Sequence, residues 1–552
     1  MEPKTYLQYR QVNGRSSERA QLEAALGLLD RCAMLRLLSG ISLSLNLLME
    51  NSSEAAQRAA IESFFPKSQA TKILENGDVV FHRHQLLFLM QEVVKHCPNI
   101  TPVEFDASRM EQLGQIFLMA NDQLFDPMQP SGSPHDELLR LILEFLPISE
   151  ANLLTSALLK MGRSHLMVTK FAEARRGQPG FFDIPVQFHE ATGVRFKTFE
   201  ALMTGVFTRL VNVEQVTRDP RGFGLPLAYF DKLPVEGGEV SAFFRLISAT
   251  PEEYVASLQA AKPRPNDFRV VRDKPLVRIG DRCFPLDAHS GLEKFETGVY
   301  WSIMGHLSED ERKHFPSFWG NVFEDYCLWL LEESLDRKLN RLHKNPKYVH
   351  NEQHEVCDAI VTCGRTAVFI EFKGSTITSE GKYSSDVDKL RSEIEKKYVK
   401  PKGIQQLVGA IQNTCRNEKA DAIQDIDLKS ISTVIPLLVT RDDIGGYFGV
   451  NSYLNARFKE IMGRADYQKS ITPCLCICAD TLEKLTAYLC DTSLADILSS
   501  RIRNDKTLRA PFFARAGSIF KHKNKGGGDR QPTLLKDATF AVKDVALQVF
   551  GR

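Results

Sequence analysis

The sequence predicts an α/β fold in its C-terminal half, with a central mixed sheet flanked by helices, and a large, mostly α-helical N-terminal half. Three observations predict this division. The chain has 552 residues, too many for one ordinary hydrophobic core. From Ser17 to about Val213, apolar residues recur at helical spacing. Beyond residue 310, helical and strand-like patterns alternate, as they do in α/β domains.

Residues 1–265 are interpreted as a mostly helical recognition or regulatory domain. Amphipathic runs such as "SPHDELLRLILEFL" are separated by turn formers, as in "EARRGQPGFF". In "ATPEEYVASLQAA", Thr250 can cap a helix and Glu253 can complete the capping box. A proline-rich stretch follows this helix, and we place the domain boundary near residue 265.

Residues 266–310 are expected to form a hairpin and a connecting helix. The stretch "VRIGDRCF" predicts two short strands that turn at Gly280 and Asp281. The stretch "SGLEKFETGVYWSIMGHL" has the spacing of an amphipathic helix. The α/β domain is expected over residues 311–495, and residues 496–552 form a basic C-terminal extension.

The predicted α/β domain opens with an amphipathic helix in "FPSFWGNVFEDYCLWLLEESLDRKL". The period then changes to strands at "HEVCDAIVTC" and "TAVFIEFKG", with Gly364 and Arg365 as the hairpin turn. A charged helix and the helix "KGIQQLVGAIQNTC" come next. The strands "ISTVIPLLVT" and "PCLCICA" follow, and each precedes a helix. This order of elements is typical of an α/β sandwich.

Composition excludes several classes of protein. The hydrophobic fraction of 43% and the charged fraction of 25% are those of a globular chain. Because the net charge is only +1, any nucleic-acid surface must come from local clusters of basic residues. No stretch has the length and apolarity of a membrane span, and no secretory signal is recognisable, so we expect no membrane partner.

The 11 cysteines include no CxxC pair and no zinc-finger spacing. Cys474, Cys476 and Cys478 alternate along one strand, where small thiols usually pack in the core. This usage favours a reducing compartment, and we expect a cytoplasmic protein.

Three charged residues lie in or beside the two hairpin strands. Asp358 stands among apolar residues in "VCDAIV", and Glu371 stands inside "VFIEFK". Burying a carboxylate costs several kcal/mol unless a cation relieves it. Alternation places Glu371 and Lys373 on one face of the strand. If the strands pair through the predicted turn, Asp358 lies opposite Glu371 across the ladder.

This charged group predicts a divalent-cation site beside an ammonium group. The carboxylates of Asp358 and Glu371 and the main-chain carbonyl of Phe372 are hard oxygen ligands for Mg²⁺ or Mn²⁺. Such a cation lowers the pKa of a bound water and neutralises a scissile phosphate. Lys373 can position that water and stabilise the transition state. The group therefore favours phosphodiester hydrolysis, and a structural ion pair is the alternative interpretation.

The succession of "CDAIV" and "FIEFK" resembles the metal-binding signature of the PD-(D/E)XK nuclease superfamily. The preceding helix carries Gly320 and Glu324 in "FWGNVFEDYCLWLL", similar to the family's first core helix, whose Glu often adds to the metal site. The later helix "KGIQQLVGAI" resembles the one that offers a Gln toward the active site. The resemblance covers about residues 310 to 480. Cys357 stands at the place of the family's proline, a position that varies freely.

The resemblance implies a restriction-endonuclease-like α/β nuclease core that hydrolyses phosphodiester bonds with Mg²⁺ or Mn²⁺, with DNA favoured over RNA. The implied metal ligands are Asp358, Glu371 and Phe372. The implied catalytic residues are Asp358, Glu371, Lys373, Glu324 and Gln406. No Tyr stands four residues after the Gln pair, so the exonuclease branch is not supported and an endodeoxyribonuclease is favoured.

Two of these assignments have rivals in the neighbouring residue. Gln405 and Gln406 lie about 100° apart on a helix, so at most one faces the site, and we favour Gln406. Asp325 competes with Glu324, and a carboxylate in the middle of an amphipathic helix is often only part of its solvated edge.

Two basic stretches are candidate substrate surfaces. Between Lys382 and Lys402, basic residues interleave with acids at helix-pair spacing, which favours a solvated, salt-bridged helix. The segment 499–530 is less balanced, and its phenylalanines can stack on bases or anchor the segment to the core. The residues predicted to contact nucleic acid in this segment are Arg515, Lys521, Lys523 and Lys525.

Large helical domains often accompany restriction-like nucleases in bacterial anti-phage effectors, so the resemblance implies defence by DNA cleavage. The helical domain would then receive a phage-derived trigger or a protein partner, and homo-oligomerisation stays open. One alternative is a catalytically inactive protein of nuclease fold that binds nucleic acid or acts as a scaffold. Another is a different enzyme or an interaction protein in which the acids form a structural ion pair. The presence of Asp358, Glu371 and Lys373 together speaks against a dead site.

Overall fold

The structure is a computed structural model of the chain. The residues that it describes are 6–45, 50–100, 106–124, 136–143, 157–210, 223–261, 267–349, 351–383, 386–416, 422–463, 467–510, 512 and 533–550.

Helices make up most of the described chain before residue 262, as predicted. Their bounds are Tyr9–Asn13, Arg19–Leu26, Arg31–Leu45, Glu50–Phe64, Lys67–Asn76, Arg83–His96, Ala107–Leu124, Ala157–Leu166, Ile184–Thr192, Phe196–Leu210, Glu239–Ile247 and Pro251–Ala261, and residues 136–143 are also helical. The predicted capping box is present, since the Thr250 N–H donates to Glu253 Oε2 at 2.6 Å and the Glu253 N–H donates to Thr250 Oγ1 at 3.2 Å.

A small sheet joins the two halves of the chain. Its strands are β1 (Leu225–Pro226), β2 (Ser248–Ala249), β3 (Leu276–Ile279) and β4 (Arg282–Pro285), in the order β1-β4-β3-β2. Strands β3 and β4 form the predicted hairpin, and Gly280 takes a φ of +63° at its turn. A tight hairpin turn needs a residue with a positive φ, and glycine adopts this conformation without steric cost.

Helices continue through the C-terminal half. Their bounds are Arg269–Asp273, Ala288–Glu293, Val299–His306, Glu309–Ser334, Ser379–Tyr383, Val387–Ile394, Ile404–Cys415, Val450–Met462, Ala479–Leu489, Leu494–Asn504 and Lys536–Val549. Two of them matter for the site: Glu309–Ser334 is called the site helix, and Ile404–Cys415 is called the glutamine helix. None of the described helices is long and apolar enough to cross a bilayer.

The second half also contains the predicted mixed sheet. Its strands and an adjoining two-stranded ribbon are β5 (Arg341–Lys344), β6 (Lys347–Tyr348), β7 (Asn351–Glu355), β8 (Ala359–Cys363), β9 (Thr366–Lys373), β10 (Thr433–Thr440), β11 (Ser470–Ile471) and β12 (Leu475–Cys478). Strands β5, β8, β9 and β10 follow one another across the sheet, and both β11 and β12 pair with β10. The β8–β9 hairpin is antiparallel, whereas β10 runs parallel to β9 and β12.

Alternation along the strands separates two apolar layers. Val368 and Ile370 of β9 pack in the same core as Trp319 of the site helix. Phe369, on the opposite face of β9, packs in the core that contains Leu407 of the glutamine helix. The sheet is therefore covered by helices on both faces, which confirms the predicted α/β arrangement. Cys474, Cys476 and Cys478 are all buried, as predicted.

The apolar cores do not separate at residue 265. Phe199 and Phe243 of the helical half share one core with Trp319 and Ile370 of the α/β half. A second core holds the first helices, and Val277 and Phe284 of the small sheet also pack in it. The division into domains at residue 265 stays a prediction, because helices on both sides of it pack in one core.

The described parts of the C-terminal extension pack onto the rest of the chain. The last helix, Lys536–Val549, lies against the helices Ala157–Leu166 and Phe196–Leu210. Its Val542 is completely buried, and Phe550 stacks on Phe230 with ring centroids 6.2 Å apart. Residues 536–550 therefore contact the helical half.

Candidate active site

The β8–β9 hairpin brings Asp358 and Glu371 together. Ala359 pairs with Ile370 and Cys363 pairs with Thr366, so the next pair beyond the ladder is Asp358 and Glu371. Gly364, with a φ of +55°, lies at the turn that sets this register. The geometry agrees with the cross-strand arrangement expected from the sequence.

Three contacts fix the polar groups at this end of the hairpin. The main-chain N–H of Phe372 donates to Asp358 Oδ2 at 2.7 Å, and Lys373 Nζ donates to Glu371 Oε2 at 2.7 Å. In an antiparallel pair, the N–H and the carbonyl of one residue point to the same neighbouring strand. Because the Phe372 N–H points to Asp358, the Phe372 carbonyl also faces Asp358. The carbonyl of Lys373 faces β10 instead, where it accepts from the Arg441 N–H at 3.0 Å.

Burial and mutual repulsion raise the pKa of the carboxyl groups here. Glu371 is only 1% exposed, and burial raises its pKa to about 8 although the Lys373 ammonium opposes the shift. Burial also raises the pKa of Asp358, against the lowering effects of Lys373, of the Phe372 N–H and of a hydrogen bond to the Glu371 carboxyl. Burial and the charge of Asp358 raise the pKa of Glu324 to about 7. The carboxyl groups of Asp358, Glu371 and Glu324 thus lie around Lys373, whose positive charge opposes the rise in pKa of each.

The site helix places Glu324 near the hairpin acids, whereas the next residue, Asp325, contacts the helical half. Asp325 accepts a hydrogen bond from Arg175 Nε at 2.6 Å, so it serves as an ion-pair partner for the helical half. Gly320, one turn before Glu324, lies against Gly374 at the end of β9, where a Cβ on Gly374 would be 2.8 Å from the Gly320 Cα. This close approach brings the helix, and with it Glu324, near the end of the hairpin.

A surface cavity of about 420 Å³ adjoins the carboxyl groups. Asp358 and Glu371 line it together with Gln406 of the glutamine helix. Gln405 is exposed, whereas Gln406 is half-buried and its Oε1 accepts from the Gly403 N–H at 2.9 Å. Of the two glutamines, Gln406 is therefore the one beside the carboxyl groups, and its oxygen also caps its own helix.

The donor set fits a hard divalent cation. Burial raises the pKa of both the Asp358 and the Glu371 carboxyl group, and the charge of Asp358 also raises the pKa of Glu371. A divalent cation bound by both carboxylates would relieve their repulsion. Two carboxylates and the Phe372 carbonyl are the oxygen ligands that Mg²⁺ or Mn²⁺ prefers. Lys373 contributes the only ammonium that contacts these carboxyl groups within the described ranges.

A different group of possible ligands lies in the N-terminal helices. The ligand atoms of Glu23, Glu92 and His96 all lie within 4.8 Å of one another. Arg19 already forms ion pairs with both acids, and Lys95 Nζ lies 3.1 Å from Glu92. Sequence reasoning did not identify this group, because its helices meet only in the folded chain.

The predicted salt-bridged character of the stretch from Lys382 to Lys402 is confirmed. Its ion pairs in the described chain are Lys382–Asp442, Lys389–Glu380, Arg391–Asp388, Arg391–Asp136, Lys397–Glu393 and Glu395–Arg457. The predicted nucleic-acid residues Arg515, Lys521, Lys523 and Lys525 lie outside the described residues. Nearby Arg501 is buried, and its guanidinium group pairs with Asp505 at 3.0 Å.

Two further charges act on the carboxyl groups and were missed from the sequence. Lys402, exposed just before the glutamine helix, lowers the pKa of Asp358. Glu355, exposed at the end of β7, adds to the repulsion that raises the pKa of Glu324. Glu355 stands three residues before Asp358, so its proximity to the site was a readable signal, whereas Lys402 reaches the site only through the fold.

Comparisons with known proteins gave no match: no family model, no curated protein and no solved structure matches this chain. The geometry of the hairpin and its surroundings is therefore the basis for assigning a function.

Proposed function

We propose that this protein is a metal-dependent nuclease of the PD-(D/E)XK type. One observation carries the proposal: Asp358 and Glu371 face each other at the end of the hairpin, and Lys373 Nζ lies 2.7 Å from Glu371. Two acids and a lysine at the end of adjacent strands can hold a divalent cation beside an ammonium group, an arrangement that suits phosphodiester hydrolysis. The cation would be Mg²⁺ or Mn²⁺, held by Asp358, Glu371 and the Phe372 carbonyl.

Each side chain has a role that follows from its surroundings. A cation held by these residues would supply an activated water and neutralise the negative charge of the phosphate. Lys373 holds its ammonium beside the carboxylates, where it orients the attacking water and stabilises the charge that develops on the phosphate oxygens. Glu324, near the pair and with its pKa raised to about 7, can accept a proton from that water near neutral pH. Gln406 lines the cavity in which the phosphate would lie.

The finer assignment rests on the resemblance stated from the sequence. We infer an endodeoxyribonuclease of the cytoplasm that acts in defence against phage. The helical half would receive the trigger or a protein partner, and its tight packing on the site helix supports communication between the halves. The basic segment that contains Lys521 would contact the DNA backbone.

Cleavage assays on the purified chain test the proposal. The substrates are closed circular DNA, linear DNA, single-stranded DNA and RNA, each with Mg²⁺, Mn²⁺ or EDTA. We expect metal-dependent cleavage of the closed circle, which an exonuclease cannot attack. Asp358→Asn and Lys373→Met should abolish cleavage, because they remove a metal ligand and the ammonium.

The matched control is Asp325→Asn. It removes a carboxylate from the same helix as Glu324, but Asp325 pairs with Arg175 and not with the hairpin acids. This variant should retain metal-dependent cleavage, although Asp325 contributes to the raised pKa of Glu324. Intact substrate under every condition would refute the nuclease, and retained binding of DNA in that case would favour the inactive nuclease-fold protein.

A further inference from the structure

A second cavity, of about 490 Å³, lies where the helical half meets the α/β half. We call it the Arg441 cavity. Residues 376–379, which follow β9, and residues 441–443, which follow β10, form one wall. Lys160 and Arg163 of the helical half form another. It lies outside the carboxyl ends of two parallel strands, where α/β sheets commonly bind ligands. It shares no lining residue with the cavity beside Asp358.

Arg441 is the unusual residue of this cavity. Its side chain is buried, with 3% of its surface exposed, and it stacks on Tyr300 with the guanidinium carbon 4.4 Å from the ring centroid. None of its three guanidinium nitrogens has a hydrogen-bond partner among the described residues. A buried cation without partners is costly, so an anion from outside the chain would be strongly stabilised there.

The neighbouring cations do not share this situation. Lys160 pairs with Asp443 at 2.9 Å, and Lys382 pairs with Asp442 at 3.0 Å. In the described chain, eight lysine and arginine side chains line the cavity against five carboxylates. Its arginines also pair with three acids outside the lining, Asp267, Asp480 and Glu483. Arg441 is therefore the lining arginine whose guanidinium group has no hydrogen-bond partner in the described chain, and this group is the one that would meet a ligand's negative group.

The rim of the cavity carries an aromatic ring. Trp301, in the helix Val299–His306, lines the cavity and is 42% exposed. An exposed indole beside a cationic pocket is a platform on which a nucleobase stacks. The cavity volume lies in the range of about 300 to 1,000 Å³ that is usual for small-ligand sites.

From these features we propose that the Arg441 cavity binds a nucleotide, with its phosphate on Arg441 and its base on Trp301. The binding goes beyond the proposed nuclease activity and does not require it. The hydrogen bond from the Arg441 N–H to the Lys373 carbonyl links the cavity to β9 through main-chain atoms. The nucleotide would therefore occupy a regulatory position between the helical half and the hairpin.

Binding to the full chain without metal tests this site. The probes are the four nucleoside 5′-monophosphates, the matching nucleosides and inorganic phosphate, followed by calorimetry and thermal unfolding. We expect at least one nucleotide to bind and to raise the melting temperature by several degrees. Arg441→Met should weaken that nucleotide at least tenfold. Trp301→Ala should weaken it about tenfold and leave the affinity for phosphate unchanged.

Two controls keep the test decisive. Arg269→Met removes a guanidinium group from the same cavity wall, but Arg269 pairs with Asp267 at 2.6 Å, so nucleotide affinity should hold within about twofold. Arg441→Met replaces an unpartnered buried charge with an apolar chain and should melt, without ligand, no lower than the wild type. The proposal is overturned if no nucleotide binds, if Arg441→Met binds unchanged, or if phosphate alone binds as tightly as the nucleotides.

Discussion

Two groups of acidic residues in this molecule resemble each other in composition, but the pKa shifts of carboxyl groups in them have opposite directions. In the N-terminal helices, Glu23 and Glu92 are paired with Arg19, and the hydrogen bond to Arg19 lowers the pKa of Glu23. At the hairpin, Glu371 and Asp358 share one lysine, and burial raises the pKa of both. Among the described residues, it is the N-terminal group, with His96, that places three possible ligand atoms within 4.8 Å of one another.

The comparison teaches that spacing alone is a poor sign of a metal site. The N-terminal acids are already neutralised by cations of the chain, so a metal ion would have to displace Arg19 and Lys95. The hairpin acids are buried with one lysine in contact, so their raised pKa favours the protonated form, and a divalent cation would take the place of the protons. Charge balance therefore favours the hairpin acids over the N-terminal acids as the metal site. Variants in both groups test this assignment.

The largest expected effect comes from neutralising one buried acid in each group. Glu371→Gln should abolish metal binding and slow cleavage by roughly a hundredfold or more, because it removes a ligand. Glu92→Gln should leave both intact and lower the free energy of unfolding by roughly 1 to 3 kcal/mol, since Arg19 and Lys95 lose their buried partner. Calorimetric metal titration and denaturant unfolding measure the two effects. Equal loss of metal binding in both variants would contradict the comparison.

The affinity for Mg²⁺ should depend on pH in a defined direction. The pKa of the ligand Glu371 is about 8, so below this value the metal must displace its proton. We expect the affinity to rise about tenfold per pH unit from pH 6 and to level off above about pH 8. Titrations at fixed ionic strength across this range measure the slope. An affinity that does not change between pH 6 and 8 would show that the carboxylates are already ionised.

A pair of glycines gives an intermediate effect with its own control. A methyl group on Gly374 would meet the Gly320 Cα at 2.8 Å, so Gly374→Ala should displace the site helix and cost roughly 1 to 3 kcal/mol of stability. A methyl group on Gly320 meets nothing within 4 Å, and Gly320→Ala should be neutral or stabilising by up to about 1 kcal/mol. Cleavage should fall only in Gly374→Ala. The reverse order in thermal unfolding would contradict the packing described.

The smallest effect is expected for Glu23→Gln. The Glu23 side chain is 39% exposed, so its ion pair with Arg19 is screened by solvent. The variant should change the free energy of unfolding by less than about 1 kcal/mol and should not change the metal affinity. A measurable loss of metal binding would assign a cation to the N-terminal group instead.

Local patterns in the sequence were sufficient to predict the hairpin. Alternation, a glycine turn and the positions of Asp358 and Glu371 define the strands and their register, because hairpin pairing depends on residues close in sequence. The predicted helices and strands were also in the correct order, since each change of period is local, but strands β5, β6 and β7 were not predicted.

Contacts between distant residues were beyond the sequence. Asp325 and Glu324 are equivalent by pattern, and only the position of Arg175, 150 residues earlier, separates them. Arg441 directly follows a buried strand, which is a visible signal, but its missing partner depends on how Tyr300 packs over it. The shared core across residue 265 likewise depends on tertiary packing.

That shared core limits how the chain can be divided. A fragment beginning at residue 311 would leave Phe318 and Tyr326 without Phe182 and Phe171, the phenylalanines of the helical half that contact them. Such a fragment would expose a broad apolar face and associate with itself. The hairpin and the helical half therefore have to be expressed as one polypeptide. Limited proteolysis should not release either of them as a folded fragment.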